Sequence, residues 1–355
     1  MKNEIKEMYK KVDRVMMDIP DDIIQPFKEI QRKHKYETNI NEMDYPKFVL
    51  TSPNFSFIEN GDYEINNAFM KRYILENNKG GIEEFFSNRF LIYSQWMDIY
   101  KILSQFGIVF TMPSPVKRAK DLVFTANAGV LIPGDSTKTG KEQIILSNFR
   151  SKQRTIETAI NKDFFNLMGY ETVFPSGMTF EGYADLKPIN LNKKLWVGGY
   201  GIRTQVEFYE WMMENFDINI IPIKMDDEEL YHFDCNFFVI NENNFIVSDV
   251  IDKESIKILE KYGEIHLVTK EDSYMGICNS VKIGTGFIMC GSDIEEMEKN
   301  DPYYIKELNK VNRLNEICYK VGVEPIYVDI SGFYDLGAGL SCLVMPLDYD
   351  SILDV

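Results

Sequence analysis

From residue 46 onward the chain alternates short apolar runs with amphipathic stretches that close at or near glycine, and this cadence persists to the C-terminus. An alternation of that kind forces strands to find partners through helical crossovers, which is the signature of an α/β domain. Strands are predicted at 47–51, 108–111, 122–131, 143–146, 195–198, 237–248, 265–268, 280–290, 326–330 and 342–347. Helices are predicted over 83–106, 151–168, 207–215, 251–262 and 305–321, several of them ending near glycines such as Gly107 and Gly169. No Ser/Pro-rich linker breaks the series, so residues 46–355 read as one domain. No sequence repeat recurs at a fixed period, so any internal symmetry is structural only. Residues 1–45 read as a helical N-terminal extension: Ile5, Met8, Val12, Val15 and Ile19 recur at 3-4 spacing and Pro20 stops the run. That stripe suits packing against the body of the protein or a short dimerisation seam, the latter giving a homo-oligomer.

With 45% apolar and 13% aromatic residues among 355, the chain has material for a sizeable core. It holds no apolar run of membrane-spanning length, and the N-terminus carries both charge signs rather than a secretory signal. Five cysteines are too few, and odd in number, for a disulfide framework, so a reduced, cytoplasmic setting is expected. A net charge of −16 argues against nucleic acid or an anionic membrane as partner. Of three histidines, His34 lies in a charged stretch and His266 on an alternating strand. His232 stands where polar residues introduce a buried strand, which makes it the best placed base.

Polar side chains interrupt the apolar runs at their ends in six places. Near the C-terminus, Gly337-Ala338-Gly339 leads to Cys342, read as sitting at the start of a strand, where a thiol is accessible as a nucleophile. The others surround Asn67, Asp121 with Asn127, Glu181 with Asp185, Arg203, and His232 with Asp234. Each has a plainer alternative. An isolated cysteine is usually a small buried hydrophobe, Glu181 and Asp185 can cap or face water, and Arg150 and Arg203 can be ordinary ion-pair partners. Cys235, three residues after His232, makes no zinc site without further ligand spacing.

Taken in order, Asn-Ala-Phe-Met (67–70), Asp-Leu-Val-Phe-Thr-Ala-Asn-Ala-Gly (121–129), Leu-Ser-Asn-Phe-Arg (146–150), Phe-Glu-Gly-x-x-Asp (180–185), Gly-Tyr-Gly-x-Arg-Thr (199–204), Tyr-His-x-Asp (231–234) and Gly-x-x-Cys-Leu (339–343) resemble the guanidino-group-modifying enzymes. The resemblance is strongest to the bacterial arginine dihydrolase and dimethylaminohydrolase-like branch. It implies a five-bladed α/β propeller of ββαβ units, pentein-like, around a central site. It further implies Cys342 as nucleophile, His232 as acid and base, and Glu181 as the carboxylate gripping the guanidinium. Asp121, Asp185 and Asp234 would be further site carboxylates, Arg150 and Arg203 would bind an α-carboxylate, and Asn67 and Asn127 would be amides near the guanidine nitrogens. The expected activity is hydrolysis at the guanidino carbon of arginine or a close derivative, of dihydrolase or deiminase type, with no metal or organic cofactor. Amidino transfer to an amine, or a non-catalytic binding protein on the same fold, are the alternatives. Asn66 leaves the first motif ambiguous by one residue, and Tyr183 adds bulk where small residues are usual.

Overall fold

The computed structural model describes residues 45–53, 89–114, 119–295, 297–334 and 336–353. The helical reading of 1–45 and the motif containing Asn67 lie outside the described residues.

Among the described residues fifteen strands form five three-stranded sheets, and each sheet is built the same way. In the second, β3 (Gly129–Ile132) pairs antiparallel with β4 (Gln143–Leu146), which pairs parallel with β5 (Glu171–Val173). The crossover between the parallel strands is helix α2 (Thr155–Leu167), because parallel neighbours cannot be joined by a tight turn. The third sheet repeats this with β6 (Leu186–Asn190), β7 (Leu195–Gly201), α3 (Val206–Asn215) and β8 (Asn219–Met225). The fourth uses β9 (Phe237–Asn241), β10 (Asn244–Ser248), α4 (Lys253–Leu259) and β11 (Glu264–Val268). The fifth uses β12 (Val281–Gly284), β13 (Phe287–Gly291), α5 (Tyr304–Val321) and β14 (Glu324–Val328). These are blades of a five-bladed α/β propeller, as the resemblance implied.

The first sheet draws on both ends of the domain. Strand β1 (Lys47–Thr51) pairs parallel with β2 (Ile108–Met112), which follows helix α1 (Arg89–Phe106). Its antiparallel partner is β15 (Met345–Pro346), with Val49 opposite Met345. Leu347 N–H extends the pairing to the Lys47 carbonyl at 2.7 Å, and the Tyr349 hydroxyl accepts from Leu131 N–H at 3.2 Å.

Strands β1, β3, β4 and β9 are buried along their whole length, which explains their continuous apolar runs: these four have no face turned to water, whereas β8 and β11 alternate buried with exposed positions. The helices show one apolar face each. On α2 the buried positions Glu157, Ile160, Asn161, Phe164 and Phe165 follow the 3.6-residue period, and Gly169 in the left-handed region (φ 94°) follows the helix.

Sequence and structure part company in four segments. Residues 122–131, expected as one strand, are two 3-10 turns (Lys120–Val123 and Thr125–Asn127) followed by β3. Short-range bonds from Phe124 N–H to the Asp121 carbonyl and from Asn127 N–H to the Phe124 carbonyl, each 3.0 Å, use the donors a strand would need. Residues 342–347 likewise begin with a 3-10 turn, Ser341–Leu343, so Cys342 sits within a turn rather than at the start of a strand. The runs 237–248 and 280–290 are hairpins, each two strands rather than one, reversing at Glu242-Asn243 and at Thr285-Gly286. Strands β5, β6 and β8 were not anticipated.

Candidate active site

Short 3-10 turns carry the site, two of them in place of expected strands. Glu181 precedes the turn Gly182–Ala184, His232 precedes Phe233–Cys235, Asn127 closes Thr125–Asn127, and Cys342 lies in Ser341–Leu343. Each turn enters or leaves a blade strand, so side chains from distant parts of the sequence are delivered to one end of several sheets. Gly182 makes one approach possible. Its φ is +78°, and a Cβ there would stand 2.5 Å from the Ala126 carbonyl oxygen. That contact holds the turn ending in Asn127 against Glu181, whose carbonyl accepts from Asn127 Nδ2 at 2.9 Å.

Glu181 is fully buried and organises its surroundings. Oε2 lies 2.8 Å from His232 Nε2 and accepts from Arg203 Nη1 at 3.3 Å, while Oε1 accepts from the Arg150 backbone N–H at 3.2 Å. Burial alone would raise this carboxyl, but the His232 hydrogen bond and the Arg203 charge outweigh it and hold it well below the usual carboxylate range. The ion is therefore fixed, with directed acceptors, in a place where water cannot compensate it.

Asp185 supports this arrangement from beneath. Its carboxylate accepts from the Thr204 hydroxyl at 2.7 Å and from Phe233 N–H at 3.1 Å, binding the Arg203 segment to the His232 segment. Burial pushes its carboxyl up to about 6, against the charge of His232 and the Thr204 bond. Asp234 accepts from the Ser341 hydroxyl at 2.6 Å, which ties the residue next to Cys342 to the turn that follows His232. Asn279 completes the tie: its Oδ1 accepts from Ser341 N–H at 2.8 Å, and its Nδ2 lies 3.6 Å from Cys342 Sγ. Glycine is needed at 339 because a Cβ there would collide with the Asn279 side chain. Burial pushes the Cys342 thiol up to about 12, with Asp234 adding to the rise and the Gly339 backbone, Asn279 and Lys187 opposing it.

The two arginines reach the same rim. Arg203 offers one nitrogen to Glu181 and lies 4.3 Å from the Tyr231 ring centroid, while Arg150 is exposed and donates from Nη1 to the Ile202 carbonyl beside Arg203. Asp121 is half-buried and turns its carboxylate toward Arg154, at 3.9 Å, rather than toward Glu181.

Arg154 is a residue that the motifs did not single out. It is buried, with Nε and Nη2 on the Glu157 carboxylate (3.1 and 2.9 Å), Nη1 on Asn127 Oδ1 (3.0 Å), and its guanidinium 4.3 Å from the Phe149 ring. Burial opposes its charge, but Glu157 and Asp121 more than offset that. Both ends of the Asn127 amide are thus held by the protein, the nitrogen by Glu181 and the oxygen by Arg154. Replacing Arg154 by Met is expected to cost about 3–5 kcal/mol in urea unfolding, since it strands a buried carboxylate. The double change Arg154→Met with Glu157→Leu should recover most of that loss; a single variant as stable as the parent would show that the pair does not hold the turn.

No family model matches the chain. Among curated proteins it is 30% identical over 267 residues, 73% of its length, to the bifunctional arginine dihydrolase/ornithine cyclodeaminase AgrE of Nostoc sp. (strain PCC 7120). The chain belongs to the guanidino-group-modifying enzyme superfamily. It spans about a third (34%) of the length of that relative. Among solved structures of the superfamily, the N-terminal domain of ArgZ bound to product, an arginine dihydrolase from cyanobacteria, superposes with a TM-score of 0.67 at 20% identity, covering 86% of this chain and 98% of that domain. A form of the same domain covalently bound to a reaction intermediate gives 0.66 at 20% identity, covering 85% and 98%. Both share the propeller fold.

Proposed function

We propose that this protein is a cysteine-dependent hydrolase attacking the guanidino carbon of arginine or a close derivative through a covalent amidino-enzyme, of arginine dihydrolase or deiminase type. The observation that carries the reading is the buried Glu181 carboxylate bonded to His232 Nε2 at 2.8 Å, on turns that also lead to Asp234 and the Cys342 segment. A guanidinium is planar, cationic and resonance-stabilised, so attack at its carbon needs firm orientation and a thiolate. A carboxylate held ionised supplies the acceptors for its N–H fork, and the cation itself favours the thiolate.

In the proposed cycle Cys342 Sγ bonds to the guanidino carbon, and His232 gives a proton to the terminal nitrogen, which leaves as ammonia. Water then attacks the amidino carbon, His232 takes its proton, and the carbon–sulfur bond breaks to release a ureido product. Arg203 has Nε and Nη2 uncommitted among the described residues, and with Arg150 beside it forms the rim suited to an α-carboxylate. The named activity of AgrE favours a second round, which would release another ammonia and carbon dioxide and leave ornithine. Asn127 supports that step less than its residue type implied, because the fold already holds its amide at both ends. Asn67, outside the described residues, remains the other proposed amide. No helix among the described residues is long and apolar enough to cross a membrane, and a cytoplasmic metabolic role is part of the proposal.

The deciding experiment is incubation with arginine while ammonia, citrulline and ornithine are measured. Two ammonia per ornithine identifies the dihydrolase, and one per citrulline the deiminase. Transfer to added glycine without ammonia release would replace hydrolysis by amidino transfer. Failure to turn over arginine or its methylated forms would leave a binding protein on this fold.

A further inference from the structure

Strand β6 is buried except at its last residue, yet its second position is Lys187, only 6% exposed. The side chain runs into a cavity of about 30 Å³ walled by Tyr183, Lys187, Asp234, Ser280, Lys282 and Ser341 among others. Lys282, the other lysine of that wall, gives its ammonium to the Thr285 carbonyl at 2.6 Å. Lys187 has no such acceptor among the described residues. Its ammonium lies 3.4 Å from the centroid of the Tyr183 ring, and the carboxylate sharing the cavity with it, Asp234, is already engaged by Ser341 Oγ and lies 3.6 Å from Cys235 Sγ. A buried cation without a hydrogen-bonded partner is costly and needs a compensating negative charge nearby.

We propose that Lys187 is a positioning residue for the nucleophile: its ammonium, sharing a cavity with Asp234 and Ser341, offsets the charge of Asp234 and lowers the cost of ionising the neighbouring Cys342 thiol before a cationic substrate arrives. The inference rests on the proposed role of Cys342 and extends it. Among the described residues, the thiol is coupled electrostatically to Asp234, Cys235 and Tyr231 from the His232 segment and to Lys187 from β6, and the neutral Asn279 from the segment before β12 lies against it at 3.6 Å. Lys187 is the one cation among them. Burial brings its ammonium down to about 8, and negative charge on Asp234 and Cys342 is what opposes that fall, so the two charges sustain each other. Tyr183, unusual for its motif, supplies a ring face that the cation occupies without hydrogen-bonding.

The test is the pH profile of iodoacetamide alkylation at Cys342, followed by mass spectrometry of its peptide so that Cys235 is scored separately. The whole chain is used, with Lys187→Met, Lys187→Gln and Lys187→Arg variants. For Met and Gln the profile is expected to move upward, with alkylation at pH 8 at least tenfold slower, while Arg restores most of the rate. A merely structural lysine would lower the melting temperature and leave the profile in place. Superimposable profiles in parent and folded Met or Gln variants would overturn the assignment, as would an Arg variant no better than Met. Alkylation requires no substrate, so a shifted profile in a protein inactive on arginine would sink the hydrolase reading alone. Turnover of arginine with an unshifted profile would sink only the role of Lys187.

Discussion

Replacing Cys342 by serine is expected to lower arginine turnover by at least about 10³-fold while leaving the fold unchanged. A serine hydroxyl is far less acidic than a thiol, and it is a far weaker nucleophile toward a stabilised cation than a thiolate. The fold does not depend on the sulfur. Cys342 is half-buried, its turn is closed by backbone bonds from Leu343 N–H to Leu340 and from Val344 N–H to Ser341, and the side chain's own hydrogen-bond partner is Asn279 at 3.6 Å. Steady-state kinetics and circular dichroism on the same preparation separate the two effects. Intact-mass measurement of the parent enzyme quenched during turnover should further show an adduct on the Cys342 peptide that the serine variant lacks. A serine enzyme retaining a tenth of the parent rate would remove the covalent mechanism.

Changing Glu181 to glutamine should be costly in two ways. The variant leaves the Arg203 guanidinium and the His232 ring facing a neutral amide inside the protein, so about 3–5 kcal/mol of stability is at risk. Turnover should fall by at least about 10²-fold, because the directed acceptor for the substrate cation and the orientation of the base go together. The pH dependence identifies the cause. The folded carboxyl sits below its unfolded value, so its ionisation stabilises the parent fully above about pH 4 and less as pH falls toward the folded value. Glutamine has no such contribution, so the stability gap between parent and variant should narrow on acidification. Urea unfolding at pH 7 and at successively lower pH measures this. A gap that stays constant with pH would locate the loss in packing rather than charge.

Much of the architecture was readable because strands such as β1, β3, β4 and β9 are buried on both faces and register as uninterrupted apolar runs. Strands β1 and β4 fall where the pattern put them, and α2, α3 and α5 lie within a few residues of expectation. The same continuity concealed the hairpins. Across 237–248 the apolar character barely pauses at Glu242-Asn243, so two antiparallel strands looked like one. The site turns were hidden for a related reason: Leu122, Val123 and Ala126 are buried as a strand would be, but in backbone that turns.

Residues acting through other residues were the hardest to see. Arg154 lies four positions beyond the arginine that closes its motif, and the signal that would have exposed it is Glu157 on the buried face of α2, a charge at a core position that must have a partner. Lys187 betrays itself in the same way, as a lysine flanked by Leu186 and Pro188 in a buried strand. Asn279 gives no local hint at all. Its importance comes from Gly339 and Ser341 more than fifty residues away, and only tertiary structure joins them.

The seam in the first blade ties assembly to synthesis. Strand β1 leaves the ribosome nearly three hundred residues before the segment that seals its open edge, which comes just after Cys342. Partial chains therefore carry an exposed strand edge and lack the Cys342 turn, and closing the ring supplies the two together. Until β15 is made, nothing in the first blade stops that edge of β1 from pairing with a neighbour.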